Sequence, residues 1–236
     1  MKIIGIIPAR MESSRLPGKP LIDIGGKSMI KRVYESVLNS KLFNKVIVAT
    51  PNKDIYDHVN EFGKVIMTSN NPLNGTERVF EAYKKLDSEY DFIVNIQGDE
   101  PFIKKEQLSD IISICRKPNQ ICTLIKKEKY SKDLERESIM KVVINNKNEA
   151  MYFSRSLIPY QYKKKNYFKH ICIYAYDPIT LKKIISLPPS SLEISESLEQ
   201  LRWLENEFKI KVKITNSDSF SVDTKEDLIL AENYVN

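Results

Sequence analysis

An α/β fold with a mostly parallel central sheet, helices on both faces and a β-rich insertion is predicted by two features of the sequence. Short β-branched runs alternate with segments of helical periodicity through the first half of the chain, which indicates βαβ units. After about residue 126 the runs follow one another at short spacing, which indicates an antiparallel extension. A length of 236 residues suits a single domain (1–236), with the β-rich insertion at about 127–178.

The first half of the chain supplies strands and helices in alternation. The strands are predicted at Lys2–Pro8, Lys45–Ala49, Val65–Thr68, Asp91–Ile96 and Ile121–Ile125. The helices are predicted at Met29–Leu38, Ile55–Phe62, Glu77–Leu86 and Lys105–Cys115. Right-handed crossovers bring the carboxyl ends of parallel strands to one edge of the sheet, where ligands bind in open α/β folds.

The second half of the chain carries strands with short connections, then helices. The strands are predicted at Met140–Ile144, Ala150–Ser154, His170–Tyr176 and Lys211–Ile214. One helix is predicted from about Leu192 to Phe208, and a final helix begins after Thr224.

Composition excludes several classes of protein. An apolar fraction of 42% and a charged fraction of 29% are ordinary for a globular chain, so intrinsic disorder is excluded. No apolar run reaches the roughly 18 residues of a membrane span, and the amino terminus reads as a strand rather than a signal peptide. Three cysteines without a CxxC pair, and only two histidines, argue against zinc and predict a reducing, cytoplasmic location.

The net charge of +6 raises the alternative of a basic nucleic-acid-binding protein. The lysines are scattered, however, and the nearest approach to a basic cluster is the run Lys163-Lys164-Lys165. A solvated, lysine-rich surface is therefore the preferred interpretation, and we expect no nucleic acid and no membrane insertion.

The loop after the first strand, Pro8–Pro20, is the richest candidate for a phosphate site. It contains Arg10, Arg15 and Lys19 among small and turn-forming residues, and cations with exposed amides bind polyphosphates. No GxGxxG motif is present, and the Walker A end Gly26-Lys27-Ser28 lacks its first glycine. We predict instead that Gly25-Gly26 is a hairpin turn and that Ser28 caps the next helix. A plain basic surface loop is the alternative.

Carboxylates in two other loops could bind a metal. Asp99 follows the strand Asp91–Ile96 at the predicted ligand edge, where a carboxylate suits Mg²⁺ together with substrate phosphates. Its alternative is an Asp-containing turn. Asp223 could be a second ligand, but the sequence alone favours a helix cap formed by Asp223 or Thr224.

Other polar segments are ambiguous from the residues alone. Asn74–Arg78 is equally compatible with a nucleotide contact and with a plain capped helix start. A lone histidine on a strand is usually structural, and a Glu-Gln pair on a helix is usually solvated. The later half supplies an arginine, a histidine, a tyrosine, an acid and an amide: Arg155, His170, Tyr174, Glu199 and Gln200.

Seven motifs in this order resemble those of the sugar-acid cytidylyltransferases, and as a set those acting on 3-deoxy-manno-octulosonate (Kdo). They are IIPAR…SRLPGKPL, NGTER, VNIQGDEP, YFSR, the H-x-x-I-Y strand, LEQLR and VDTKEDL. The resemblance implies a Rossmann-like nucleotidyltransferase fold, a homodimer formed through the β-rich insertion, and Mg²⁺ as cofactor. It also implies the transfer of CMP from CTP to Kdo for lipopolysaccharide or capsule.

By the same resemblance, the site residues acquire roles. Arg10, Arg15 and Lys19 hold the phosphates of CTP, and Asp99 and Asp223 share the Mg²⁺. Arg10, Lys19, Asp99 and Asp223 form the catalytic set. The cytosine is contacted by side chains or backbone at Ala9, Thr76, Arg78 and Gln97. The sugar acid is bound by Arg155, His170, Tyr174, Glu199 and Gln200.

Four residues and one segment depart from the family pattern. The family usually has serine where Asn74 stands, arginine where Lys169 stands and glycine where Cys172 and Ala175 stand, and the stretch between Pro159 and Phe168, which borders the predicted sugar pocket, is short. A related acid, such as 8-amino-Kdo or a nonulosonate, is therefore an alternative substrate.

Overall fold

The protein is described from a computed structural model that covers residues 1–13, 15–116, 120–162 and 166–235. The Lys163–Lys165 run and Ser14 of the first loop lie outside the described residues. The chain forms two compact units, one of Met1–Leu108 with Asp218–Asn236 and one of Ser109–Ser217. The prediction of one domain with an insertion at about 127–178 stays a prediction.

The elements are labelled in chain order. The strands are β1 (Ile3–Pro8), β2 (Asp23–Ile24), β3 (Lys27–Ser28), β4 (Lys45–Thr50), β5 (Val65–Met67), β6 (Phe92–Ile96), β7 (Ile121–Glu128), β8 (Lys141–Ile144), β9 (Ala150–Ser154), β10 (Tyr167–Tyr176) and β11 (Ile210–Thr215). The α-helices are α1 (Met29–Asn39), α2 (Lys53–Asn60), α3 (Gly75–Lys84), α4 (Lys105–Ile114), α5 (Pro178–Ile185), α6 (Ser191–Glu196), α7 (Glu199–Glu205) and α8 (Lys225–Val235).

The first unit contains a parallel sheet in the order β6-β1-β4-β5. β1, with the sequence IIGIIP, is buried over its first five residues, as expected of a parallel strand covered on both faces. Ile6 pairs in register with Ile47 on one side, and Ile4 pairs with Ile93 on the other. The predicted α/β class with a mostly parallel central sheet is confirmed, and the loops after β1 and β6 leave the same edge.

The hairpin and cap predicted between β1 and α1 are confirmed. β2 and β3 pair antiparallel around Gly25 and Gly26, both of which have positive φ. Ser28 caps α1 by accepting a hydrogen bond from Lys31 N–H. The hairpin belongs to a hydrophobic cluster that includes Ile24, Val222 of the segment before α8, and Ala231 of α8.

The second unit contains the predicted antiparallel strands. β7 pairs with β10, β10 pairs with β8, and β8 pairs with β9, all antiparallel, while β11 lies parallel to β7. The register of β7 and β10 shifts between Ile171 and Tyr174, so Cys172 and Ile173 form a bulge. β10 begins at Tyr167, earlier than predicted, because its pairing continues to Glu128 at the polar end of β7.

The single helix predicted from about Leu192 to Phe208 is wrong. Two helices, α6 and α7, replace it, and the chain between them passes through Ser197 in the left-handed region (φ 52°, ψ 49°) and extended Leu198. Hydrophobic periodicity spans both helices, so it does not reveal a break set by backbone conformation. The prediction also missed helix α5, whose cap is Asp177.

No helix among the described residues is long and apolar enough to cross a membrane.

Candidate active site

A cavity of about 740 Å³ lies in the first unit, at the edge where β1 and β6 end. Its walls are the loops after these two strands, the start of α3 and Asp223, which lies just before α8. Eight of the residues predicted from the sequence line it: Ala9, Arg10, Arg15, Lys19, Arg78, Gln97, Asp99 and Asp223. Thr76 does not line it and is buried in the first turn of α3.

The floor of the cavity is close-packed backbone. A Cβ atom added to Gly98 would lie 2.9 Å from the carbonyl oxygen of Pro8, a distance that real Cβ atoms essentially never show. A Cβ atom on Gly75 would lie 3.3 Å from Cγ of Pro8. Glycine at both positions therefore lets the loops after β1 and β6 and the start of α3 approach one another closely.

Lys19 joins the two predicted metal ligands. Its Nζ donates to Asp99 Oδ2 at 2.6 Å and to Asp223 Oδ1 at 2.9 Å, and Arg15 donates to Asp223 Oδ1 at 3.1 Å. Burial disfavours the charge on Lys19, but the two carboxylates outweigh burial and raise the pKa of Lys19 above its ordinary value. One cation shared by both acids thus offsets part of their mutual repulsion.

Local geometry presents Lys19 to the carboxylates. Gly18 adopts φ 70°, in the left-handed region that glycine enters without strain, and starts a one-turn 3₁₀ helix at Lys19. Leu16, three residues before Lys19, is buried in the hydrophobic cluster shared with the hairpin. The loop is therefore anchored on its apolar side and exposes its cations to the cavity.

Asp223 reaches the cavity because a backbone hydrogen bond joins its segment to that of Asp99. Val222 N–H donates to the Asp99 carbonyl at 2.9 Å. Of the two residues predicted as the helix cap, Thr224 serves as the cap, because its Oγ1 accepts from Asp227 N–H. The carboxylate of Asp223 is left to face the cavity.

The two carboxylates form a donor set that fits Mg²⁺. Among the described residues no group of three or more His, Cys, Asp or Glu side chains could enclose a metal ion. Mg²⁺ is usually held by one or two carboxylates together with water and substrate phosphates, which is the set that Asp99 and Asp223 would provide. Their convergence on a single cation, the Lys19 ammonium, marks a point toward which both oxygens are directed.

Arg78 lines the cavity, but its guanidinium is engaged by the preceding loop. It donates to Thr68 Oγ1 at 2.7 Å and to the carbonyl of Ser69 at 3.1 Å. Burial, followed by the charge of Arg10, lowers the pKa of Arg78. Gln97 donates to Asn95 Oδ1 at 3.2 Å and keeps its own side-chain oxygen near Gly75. Arg78 thus shapes the wall, and the exposed Arg10 lines the same cavity.

The residues predicted to bind the sugar lie in the second unit. Arg155, at the end of β9, donates from Nε to the Glu196 carbonyl at 2.8 Å and from NH2 to the Ser197 carbonyl at 3.1 Å. Its other terminal nitrogen, NH1, donates to the Glu137 carbonyl at 2.9 Å. The helix break at Ser197 therefore supplies the carbonyls that orient this arginine.

His170 is buried beside the bulge in β10, and its hydrogen bonds define its tautomer. The hydroxyl of Thr123 donates to the Ile173 carbonyl at 2.7 Å, so its oxygen accepts from His170 Nε2–H at 2.9 Å. Nδ1 is then an acceptor, with Cys172 Sγ at 3.7 Å. Burial lowers the pKa of His170 to about 3, which keeps the ring neutral.

Aromatic rings connect His170 to α7. The ring of Tyr174 lies 5.3 Å from that of His170 and 5.1 Å from that of Trp203, centroid to centroid. Burial, followed by the charges of neighbours that include Glu199, raises the pKa of Tyr174. In the part of the chain that the structure describes, the Tyr174 hydroxyl is buried without a hydrogen-bond partner, so it could donate to a ligand. Gln200 is buried in the same helix.

Several residues of these sites were not predicted. Gly98 stood inside a motif, and its close approach to Pro8 follows only from the packed loops. Thr123 fixes the tautomer of His170, and Glu196 contacts the Arg155 segment. No sequence signal identifies either, because a buried threonine in a strand and a glutamate in a polar helix are ordinary.

Comparisons with known proteins give one consistent family. The cytidylyltransferase family matches residues 4–213. The chain is 50% identical to the 3-deoxy-manno-octulosonate cytidylyltransferase of Parabacteroides distasonis, over 97% of this chain and 96% of that protein. It is 48% identical to the protein of the same name from Phocaeicola vulgatus, over 100% of this chain and 98% of that protein.

Solved structures are similar across the whole length. The structure of CMP:2-keto-3-deoxy-manno-octonic acid synthetase complexed with CTP has a TM-score of 0.91 and 38% identity, and covers 100% of this chain and 98% of that chain. The 4-diphosphocytidyl-2C-methyl-D-erythritol synthase of Anaerococcus prevotii has a TM-score of 0.67 and 19% identity, and covers 99% of this chain and 98% of that chain. The second likeness shows the fold alone.

The neutral state of His170 predicts a specific loss of stability in acid. Below pH about 6.5 the unfolded chain takes up a proton on His170 that the folded chain refuses until pH about 3. As the pH is lowered between these values, protonation of His170 in the unfolded chain should lower the free energy of unfolding by up to about 1.4 kcal/mol per pH unit. Urea unfolding of wild type and His170→Gln from pH 7.5 to 4 measures it. The wild-type curve should fall more steeply, and parallel curves would contradict the prediction.

Proposed function

The chain belongs to the cytidylyltransferase family, and we propose that it transfers CMP from CTP to the anomeric hydroxyl of Kdo, releasing pyrophosphate. One observation carries the proposal: a single cavity gathers Arg10, Arg15, Lys19 and the paired carboxylates Asp99 and Asp223. The full-length relatives named for this reaction support it. The product would serve lipopolysaccharide or capsule synthesis.

The chemistry needs positioning and charge neutralisation rather than a covalent intermediate. The sugar hydroxyl attacks the α-phosphorus of CTP in line with the departing pyrophosphate. Arg10, Arg15 and Lys19 would neutralise the phosphate charge, and the part of the cavity lined by Gly75 and Gly98 would receive the cytosine. Gln97 offers an amide to its edge, and Arg78 would act by holding the wall in place.

Asp99 and Asp223 would hold Mg²⁺. When bound there, the ion would supply charge neutralisation at the phosphate and would lower the pKa of the attacking hydroxyl. Lys19 occupies the position between the two carboxylates, so it would turn from them toward the triphosphate as the nucleotide enters. A cation would then lie between the two carboxylates both without nucleotide, as the Lys19 ammonium, and with it, as Mg²⁺.

The sugar acid would be bound by the second unit. Arg155 is a fixed guanidinium suited to a carboxylate, and His170 is a neutral acceptor suited to a sugar hydroxyl. Tyr174, Glu199 and Gln200 would complete the hydroxyl contacts.

Dimerisation and location complete the proposal. A homodimer formed through the β-rich segment would match the family pattern. None of the three cysteines, all of which the structure describes, is in a disulfide, which supports a reducing cytoplasm.

Pyrophosphate release tests the reaction directly. Purified protein with CTP and Mg²⁺ should release pyrophosphate with Kdo, and should release little without sugar or with sialic acid. Turnover with 8-amino-Kdo or a nonulosonate in place of Kdo would retain the nucleotide chemistry and change the substrate. No release with any of these acids would contradict the proposed function.

Asp99→Asn should reduce turnover by about 100-fold or more, because one of two metal-directed carboxylates loses its charge. Asp57→Asn is the matched control, since Asp57 also pairs with a lysine but lies on α2, outside the cavity. Both variants should give the wild-type circular dichroism spectrum. Near-normal activity of Asp99→Asn would refute its assignment as a metal ligand.

Lys19→Met should increase stabilisation by Mg²⁺ in the absence of nucleotide. The variant leaves Asp99 and Asp223 facing each other without their common cation, and Mg²⁺ can replace it. Thermal unfolding with and without Mg²⁺ measures the effect, and each kcal/mol of added binding should shift the midpoint by about 2–4 °C. Lys27→Met removes the comparable ion pair with Glu35 and serves as control. An equal Mg²⁺ shift in the variant and wild type would argue against a shared site.

A further inference from the structure

We propose that Lys141 and Glu196 are positioning residues that fix Arg155: Lys141 binds the backbone carbonyl of Arg155, and Glu196 binds its backbone N–H. Two N–H groups of the Arg155 guanidinium are thereby held ready for the carboxylate of the sugar acid. The inference rests on the proposed function, in which Arg155 binds that acid. Neither residue was singled out by the sequence.

Lys141 is a fully buried lysine whose neighbours are backbone carbonyls. Its Nζ donates to the carbonyls of Ile139 at 2.6 Å and Arg136 at 3.3 Å, and to the carbonyl of Arg155. Its exposure is 0%, and lysine is almost never buried to this extent without a partner. Three acceptors match the three N–H groups of an ammonium, and a neutral amine could satisfy only two.

The position of Lys141 follows from strand register. Lys141, the first residue of β8, lies opposite Ser154, the last residue of β9, so its side chain reaches the next carbonyl, that of Arg155. β8 also pairs with β10, where Lys141 opposes Lys169, the residue before His170. The Lys141 side chain therefore connects the end of β9 to β8, and β8 in turn pairs with β10, the strand that carries His170.

Glu196 holds the other side of the same residue. Its Oε2 accepts from Arg155 N–H at 2.9 Å, and its Oε1 accepts from the Ser154 hydroxyl at 2.6 Å. Burial disfavours its charge, but these hydrogen bonds outweigh burial and lower the pKa of Glu196, so it is ionised at neutral pH. Glutamine would replace one of the two accepting oxygens by an NH2 group, which is itself a donor, and would lose that bond.

Donor counting shows what remains for a ligand. A guanidinium has five N–H groups, and Arg155 gives three of them to the carbonyls of Glu196, Glu137 and Ser197. Among the described residues no further acceptor engages it. One N–H remains on each terminal nitrogen, the number that a carboxylate takes in a two-pronged ion pair. A side chain fixed at all three nitrogens loses little entropy on binding.

The test separates positioning from a general effect on folding. Lys141→Met and Glu196→Gln should each raise KM for Kdo by 10-fold or more and change KM for CTP by less than 2-fold. A merely structural role would reduce the yield and stability of folded protein and leave both KM values unchanged, which would overturn the proposal. If Lys141→Met fails to fold, Ser154→Ala, which removes one bond to Glu196, should raise KM for Kdo in the same direction.

Matched controls exist for both variants. Glu205, like Glu196, accepts hydrogen bonds from a serine hydroxyl and from a backbone N–H, those of Ser191 and Leu192. Lys211, like Lys141, donates to a backbone carbonyl, that of Lys147. Glu205→Gln and Lys211→Met should leave both KM values within 2-fold, and an equal rise in KM for Kdo would overturn the proposal.

A crystal structure of Glu196→Gln supplies a readout that does not depend on turnover. The Arg155 guanidinium should be displaced from its three carbonyls, and an unchanged Arg155 would overturn the proposal even in an active enzyme. Absence of Kdo turnover by the wild-type protein would refute the proposed function instead, while displacement of Arg155 would still uphold the positioning role.

Discussion

The hydrogen bond from Val222 N–H to the Asp99 carbonyl is the interaction on which the nucleotide cavity depends. It joins two segments that are distant in sequence and aligns the carboxylates of Asp99 and Asp223. Two carboxylates that both contact one ammonium lie close enough to repel each other, so the arrangement also needs the charge of Lys19 between them. The hydrophobic cluster of the hairpin and α8 stabilises this arrangement, because it contains Leu16 from the loop of Lys19 and Val222 from the segment of Asp223.

Much of this architecture could be predicted from the sequence because it follows from local patterns. Continuous β-branched runs mark β1, β4 and β6, and the rule that parallel strands end at one edge brings Arg10 and Asp99 together. Helix caps such as Ser28 are local as well. Boundaries moved by a few residues wherever pairing extended into polar sequence, as it does at the end of β7.

The parts that could not be predicted depend on contacts between distant residues. Asp223 and Thr224 are equally good caps by type, whereas in the structure Thr224 is the cap and Asp223, beside the Val222 hydrogen bond to Asp99, lines the cavity. The bulge at Cys172 and Ile173 is set by register between β7 and β10, and Thr123 acquires its role only there. A buried lysine such as Lys141 looks like any other strand lysine until its three carbonyls are seen.

The break at Ser197 has a geometric consequence for the ion pair between Arg202 and Glu193. These side chains meet in a two-pronged contact, with distances of 2.5 and 2.6 Å. In an uninterrupted helix each residue turns by about 100° and rises by about 1.5 Å, so residues nine apart would point in opposite directions and lie roughly 13 Å apart along the axis. The pair can form only because the left-handed residue resets the helical phase. The same ion pair therefore stabilises the break against a single continuous helix. It thereby preserves the backbone in which the carbonyls of Glu196 and Ser197 accept hydrogen bonds from Arg155.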